Sequence, residues 1–465
     1  MKNLDLTKQT VASLSRLIKS KEISPVEVTE ASLERIAKLD GTLKAFVTVT
    51  ESQAIQAAKD AEKSIMAGKY VGPYHGIPIG LKDLYYTKGI PTTASSKVLA
   101  DFIPSYDATV VAKLKAAGVV ILGKTNTHEF AYGYISSPTV NAWDTQRIPG
   151  GSSGGSGCAI AASMCLAATG TDTGGSIRVP SAMNGVVGLK PTFGRVSKYG
   201  VIVLAWSIDH AGPMTKTVED AALMMNIIAG YDPKDPSSAN IPVPDYARAL
   251  KGGIANMRLG IPKDNFLEPL DPEVSAAFQK AVEVLKKLGA RIEEVSLPNA
   301  ALAGKIGFYM VCSEASAYHE RWFKTKADLY TPAVRRYLKW GNLTGAALYI
   351  KAQRIRTLIS NDFDLALKRV DAIITPTLPI TAPKVGEDEV SVGTTKMPLS
   401  DACRRNMYPL TLTGLPAMSV PCGFSHANLP IGLQIIGRPF DEPRVIRIAH
   451  NYEKSTDWHL RRPAL

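Results

Sequence analysis

Two glycine turns that each end in serine, Gly150-Gly151-Ser152 and Gly174-Gly175-Ser176, are the part of this chain best suited to chemistry. Glycine has no Cβ, so backbone N–H groups in such turns can approach a reacting group closely and face a developing oxyanion. A serine in each turn offers a nucleophile and a helper. A hydroxyl that attacks a carbonyl must lose its proton, so a base has to lie within reach. Histidine is scarce, with 7 in the chain, and none stands out as that base. A lysine serves where burial moves its pKa from about 10 toward about 7–8, a shift of roughly 3–4 kcal/mol. Lys82, delivered at the end of the apolar run His75-Gly76-Ile77-Pro78-Ile79-Gly80-Leu81, meets that requirement best. Taken alone, these residues leave other readings open. The first turn also reads as a flexible loop or a phosphate cradle, the second as a helix N-cap, and Lys82 as a solvated strand end paired with Asp83. The phosphate cradle lacks both the lysine of a phosphate loop and the spacing of a dinucleotide fingerprint.

A scaffold must hold these groups, and from Asp107 onward strand and helix patterns alternate, which predicts a largely parallel or mixed sheet between helical layers. Ser24-Pro25-Val26-Glu27 combines a serine cap, an early proline and a glutamate that closes a capping box. It predicts a helix to Asp40, stopped by Gly41. With a second helix over Glu51–Met66, residues 1–70 read as a helical N-terminal layer. Strands are expected at 75–83, 119–122, 186–191, 258–262, 290–295, 372–376 and 431–436. Helices are expected at 107–117, 217–229, 271–288 and 442–455. Residues 300–370 read as a helical subregion bordering the substrate pocket, and 383–400 as a surface loop. No linker separates units, so the expectation is one α/β domain over 1–465.

Composition narrows the function classes. A chain of 465 residues, 45% apolar, buries a large core. Its first residues carry no apolar leader and its apolar runs are too short to span a bilayer, which predicts a cytoplasmic protein with no membrane partner. Five dispersed cysteines without a paired motif indicate a reducing compartment and no metal. The formal charge of +12 is spread singly and in pairs, as at Arg335-Arg336, without a basic segment studded with aromatics. The expectation is a solvated surface and no nucleic-acid partner.

The segments Gly76–Asp83, Lys124-Thr125-Asn126, Pro149–Ser156, Gly170–Arg178, Gly185–Thr192, Gly194–Ser197 and Leu429–Gln434 together resemble the amidase signature family, in order and over nearly the whole chain. The resemblance implies an α/β/α sandwich, a large mixed twisted sheet covered by helices on both faces, with no cofactor and no metal. It also implies a Ser–cis-Ser–Lys triad: Ser176 as nucleophile, Ser152 as bridging serine behind a cis peptide, and Lys82 as base. Thr173, Gly174, Gly175 and Ser176 would supply oxyanion-hole N–H groups, and Asp172 and Arg178 a supporting ion pair.

Within the family, Gly194–Pro213 and Lys351–Leu358 are similar to the A subunit of glutamyl-tRNA amidotransferase, which liberates ammonia from glutamine inside a complex. Two departures count against that role. Tyr318-His319-Glu320-Arg321-Trp322 replaces an arginine-aromatic-aspartate-glycine motif, and Arg404-Arg405-Asn406 stand where an acidic residue should hold the glutamine amino group. The loop from Tyr134 to Arg147 also reads as shorter than usual. The expectation is therefore an amidase for an apolar or aryl amide, extending to esters or carbamates. Gly151, Ser153, Phe130, Tyr132, Tyr134 and Trp206 would contact the substrate, with Tyr309 and Trp322 as further aromatic candidates. Its partners would be a small-molecule amide and water, with a homodimer allowed. The alternatives are a non-catalytic binding protein of the same fold and the glutaminase A subunit of a tRNA-dependent amidotransferase.

Overall fold

The computed structural model describes residues 5–465; of the N-terminal helical layer, residues 1–4 lie outside the described residues. Eleven strands form one mixed sheet. They are β1 (Phe46–Val49), β2 (Pro78–Lys82), β3 (Val120–Thr125), β4 (Ala167–Asp172), β5 (Val187–Lys190), β6 (His210–Thr215), β7 (Arg258–Pro262), β8 (Arg291–Val295), β9 (Ala372–Pro376), β12 (Ala417–Phe424) and β13 (Pro430–Ile436). A separate hairpin pairs β10 (Glu389–Val392) with β11 (Thr395–Pro398). The sheet order is β1-β3-β2-β4-β6-β5-β12-β13-β9-β7-β8. Helices cover both faces, and the apolar side chains beneath them make the core. Among the described residues no helix is long and apolar enough to cross a membrane.

One stretch of this topology positions the chemistry. β2 pairs in parallel with both β3 and β4, so the carboxyl ends of all three emerge at one edge, where ligands collect in sheets of this kind. β2 is buried along its whole length, as its unbroken apolar sequence requires, and Lys82 is its last residue. β4 ends at Asp172 and runs straight into the Thr173-Gly174-Gly175-Ser176 turn. Helix Gly154–Ala161 starts directly after the other serine turn and leads back into β4.

Sequence and structure differ in places. The helix opening at Pro25 keeps its Ser24–Glu27 capping box but continues through Gly41 to Leu43, ending on Lys44 in the left-handed conformation. Residues 383–400, expected as loop, hold the β10–β11 hairpin with Gly393 at its turn, because alternating Val390 and Val392 are buried on one side. Helix Leu399–Leu412, with Pro409 inside it, has no counterpart among the expected elements.

Candidate active site

Lys82 is fully buried, and its Nζ lies 2.8 Å from Ser152 Oγ and 2.8 Å from Thr171 Oγ1. Its own N–H donates to Thr169 Oγ1, which fixes the end of β2 against β4. Asp83 does not pair with it; that carboxylate faces Lys124 at 3.7 Å and accepts from Thr93. Burial drives the Lys82 amine well below the ordinary lysine range, and the more distant Asp172 and Asp209 carboxylates only partly oppose this. Burial lowers the pKa of the His128 ring to about 4, so it is uncharged near neutrality.

The Gly151–Ser152 peptide is cis. Ser152 O accepts from the His128 N–H and from Ser136 Oγ, each at 3.0 Å. A Cβ on Gly151 would lie 2.6 Å from the Tyr134 carbonyl carbon, so only glycine fits there. Ser153 N–H donates to Ser176 O at 3.2 Å, tying the two serine turns together. Gly151 and Ser153 thus sit behind the reaction space rather than lining it.

Ser176 opens onto a cavity of about 320 Å³. Its Oγ makes no hydrogen bond among the described residues, so the Lys82–Ser152 link is closed and the Ser152–Ser176 link is open. The N–H groups of Thr173, Gly174 and Ser176 have no acceptor among the described residues. Gly175 differs from the sequence expectation: its N–H donates to Asp172 Oδ1 at 2.8 Å and is not free for an oxyanion. Gly175 itself is in the left-handed region, at φ +111, with Met407 packed where a Cβ would be. Asp172 also binds Arg178 through two contacts of 3.0 Å, Nε to Oδ2 and Nη2 to Oδ1. Burial raises the Asp172 carboxyl, but Arg178, with Lys190 and His210, reverses the effect and holds it well below the usual carboxylate range. Arg178 is anchored in turn by Gln434 Oε1 at 2.7 Å. A carboxylate ionised in this way rigidifies the turn that presents Ser176.

The expected substrate aromatics divide. Tyr132 and Tyr134 line the cavity, and Tyr134 OH donates to Gly174 O at 2.9 Å. Phe130 does not line it. Phe130 and Ala131 both have left-handed backbones, which turns the Phe130 ring into the core against His319, Trp322 and Tyr330. Trp206 lies in an adjacent cavity with Lys198 and Asp209, and Tyr309 is partly exposed outside both. Tyr337, Tyr408, Phe308, Arg336 and Asp388, none of them expected from the sequence, line the Ser176 cavity too, as does Arg404, one of the residues that replace the expected acidic group. The pocket is therefore aromatic but charged. It is poorly matched to a purely apolar acyl group, because burying such a group against a guanidinium costs hydration with nothing to replace it.

This geometry, a buried amine beside one serine and a second serine beneath free N–H groups, fits an amide-hydrolysing site, and the model of the family described as Amidase matches residues 27–446. The chain belongs to the amidase signature family, whose members include hydrolases of amides. Among curated proteins it is similar to the A subunit of the glutamyl-tRNA(Gln) amidotransferase of Geobacter sp. (strain M21), 44% identical over 98% of this chain and 99% of that protein. Among solved structures it is similar to the corresponding protein from Thermotoga maritima, 39% identical with a TM-score of 0.82, covering 97% of this chain and 95% of the other. It is also similar to a structure described as an unexpected vestigial protein complex revealing the evolutionary origins of an s-triazine catabolic enzyme. That match is 33% identical with a TM-score of 0.93, covering 98% and 100% of the two chains.

These relatives overturn two expectations. The apolar or aryl amide reading falls, because curated relatives at 42–44% identity over the full length are named for the amidotransferase. The partner reading, a small molecule alone with no nucleic acid, falls with it, since that name describes one subunit of an enzyme for glutamyl-tRNA(Gln).

Proposed function

We propose that this chain is the amide-hydrolysing subunit of an amidotransferase for glutamyl-tRNA(Gln), releasing ammonia from the side-chain amide of glutamine. The observation that carries the reading is the 44% identity running through 98% of the chain to a protein of that name. The positive charge of +12 suits an assembly that handles an acidic polymer. Five unpaired, buried cysteines support the cytoplasm as its place of work.

In the proposed mechanism, Ser176 attacks the amide carbon after a rotation of its side chain toward Ser152. Its proton passes to Ser152 while the Ser152 proton passes to the neutral Lys82 amine; a neutral amine at 2.8 Å from each hydroxyl can donate to Thr171 and accept from Ser152. The N–H groups of Thr173, Gly174 and Ser176 receive the oxyanion, each worth on the order of 3 kcal/mol in the transition state. The C–N bond breaks as the relay returns the proton to the departing nitrogen, giving ammonia and an ester on Ser176. Water, deprotonated by the same relay, then releases glutamate and restores the serine.

The test uses glutamine labelled with 15N at its amide, given to the chain with and without the partner subunits of such an enzyme and glutamyl-tRNA. Labelled ammonia, and labelled glutaminyl-tRNA in the complete mixture, is the expected result. Cleavage of other amides with no release from glutamine in any mixture would overturn the reading.

A further inference from the structure

Residues 128–134 run between the two serine turns and the helices of the 300–370 subregion, and they bond to both. The His128 N–H donates to Ser152 O at 3.0 Å and Tyr134 OH donates to Gly174 O at 2.9 Å, so each end of the segment holds one serine turn. Between those ends, Phe130 packs on the rings of His319 and Trp322, and Tyr132 OH donates to Cys312 Sγ at 3.0 Å, so the middle grips helix Ala303–Lys326. Glu129 reaches a different helix. It is 6% exposed and has no ion pair among the described residues. Ser96 Oγ donates to its Oε1 at 2.6 Å, the Thr331 N–H donates to its Oε2 at 2.9 Å, and Thr331 Oγ1 donates to the same Oε2. A buried carboxylate without a cation is held only by the donors around it, and two of these three come from one residue.

Thr331 is the N-cap of helix Pro332–Leu343, yet its side chain makes no cap bond to that helix. Its hydroxyl is turned to Glu129 instead, and a carboxylate in that place also suits the positive end of the helix. The first turns of the same helix carry Ala333, Arg336 and Tyr337 into the wall of the Ser176 cavity. We propose that Glu129 is a positioning residue: through Thr331 it fixes the start of helix Pro332–Leu343, and so the cavity wall, to the segment that also holds both serine turns. The carboxylate touches no substrate. It sets how closely that wall stands over Ser176. This rests on the hydrolytic reading of Ser176.

Glu129→Ala removes all three bonds, and because Thr331 is exposed, water can take its donors and the chain should still fold. Glu129→Gln keeps the bonds, its carbonyl oxygen facing Thr331 and its amide donating to Ser96 Oγ. In the full-length protein, backbone hydrogen exchange across 332–338 should be about fivefold faster in Glu129→Ala, unchanged in helix Ala346–Arg369, and back at the wild-type rate in Glu129→Gln. A wall that binds ground and transition states alike affects KM, so Glu129→Ala should raise KM for glutamine about tenfold with kcat changed much less, and Glu129→Gln should restore it. Thr331→Val should show a weaker form of the same pattern and add nothing on top of Glu129→Ala. A merely structural role would lower kcat with the folded fraction and leave KM alone, and that pattern overturns the proposal. Exchange across 332–338 that Glu129→Ala leaves unchanged overturns it too. If the wild type releases nothing from glutamine but cleaves another amide, the glutaminase reading falls, and the same KM comparison on that amide decides the role of Glu129.

Discussion

Replacing Lys82 by methionine keeps the length of the side chain and removes its titrating nitrogen, and the structure gives the consequence a sign. Lys82 has no exposure, its two close partners are neutral hydroxyls, and the Asp172 carboxylate near it already pairs with Arg178. A buried ammonium loses several kcal/mol of hydration that two hydroxyls cannot restore, so the native amine is neutral. In the unfolded chain the same amine binds its proton up to about pH 10.4. Between the lowered native value and that point, the unfolded state holds more protons. The wild type therefore gains about 1.4 kcal/mol of stability for each unit that pH rises within the window. Methionine contributes no such slope. Lys82→Met loses two hydrogen bonds, about 1 kcal/mol each, but escapes the cost of deprotonation. It should be no less stable than the wild type at pH 7, and that relative standing should worsen steadily as pH rises. Urea midpoints of both proteins at pH 7, 8, 9 and 10, beside kcat/KM, measure this; activity should fall by at least about 10³. Parallel stability curves, or a variant several kcal/mol weaker at pH 7, would mean that the lysine is charged and paired in the native state.

Three further outcomes can be checked. In the wild type, kcat/KM should climb with pH through the lowered Lys82 value and then level off well short of the ordinary lysine range, since only the neutral amine accepts the proton; a profile still rising near pH 10 would contradict this. Arg178→Met strands the fully buried Asp172 carboxylate and should cost about 3–5 kcal/mol, read as a lower denaturation midpoint together with loss of activity. Gly175→Ala places a Cβ 2.4 Å from Met407 Cγ on a left-handed backbone, so it should destabilise the turn by about 1–3 kcal/mol and lower kcat more than it raises KM.

How much of the fold and site is legible in the sequence follows from the range over which each feature is encoded. The Ser24–Glu27 cap, the Lys82 strand and the two glycine turns are written in a few adjacent residues, and local chemistry determines them. The cavity walls are assembled from segments far apart. Arg404 and Tyr408 arrive on a helix that an internal Pro409 hides from pattern reading, and Phe308 and Tyr337 come from two different helices. Phe130 and Tyr132 look interchangeable as neighbours, yet two consecutive left-handed residues send one ring to the core and the other to the cavity. The Gly175 N–H is a different case: Asp172 takes it across a single turn, a local contact that an aspartate three residues upstream of a glycine permits and that the resemblance does not display. The aryl-amide expectation weighs Arg404 only as an obstacle to glutamine and misses Arg336 in the same wall, and the curated relatives overturn it.

The most direct measurement is the identity of the acylated residue. Enzyme quenched in acid during turnover of glutamine, digested and mapped by mass spectrometry should carry its glutamyl ester on Ser176, formed as ammonia appears, absent in Ser176→Ala and much slower to form in Lys82→Met. Ammonia released by Ser176→Ala at the wild-type rate, or an ester found on Ser152 instead, would contradict the account.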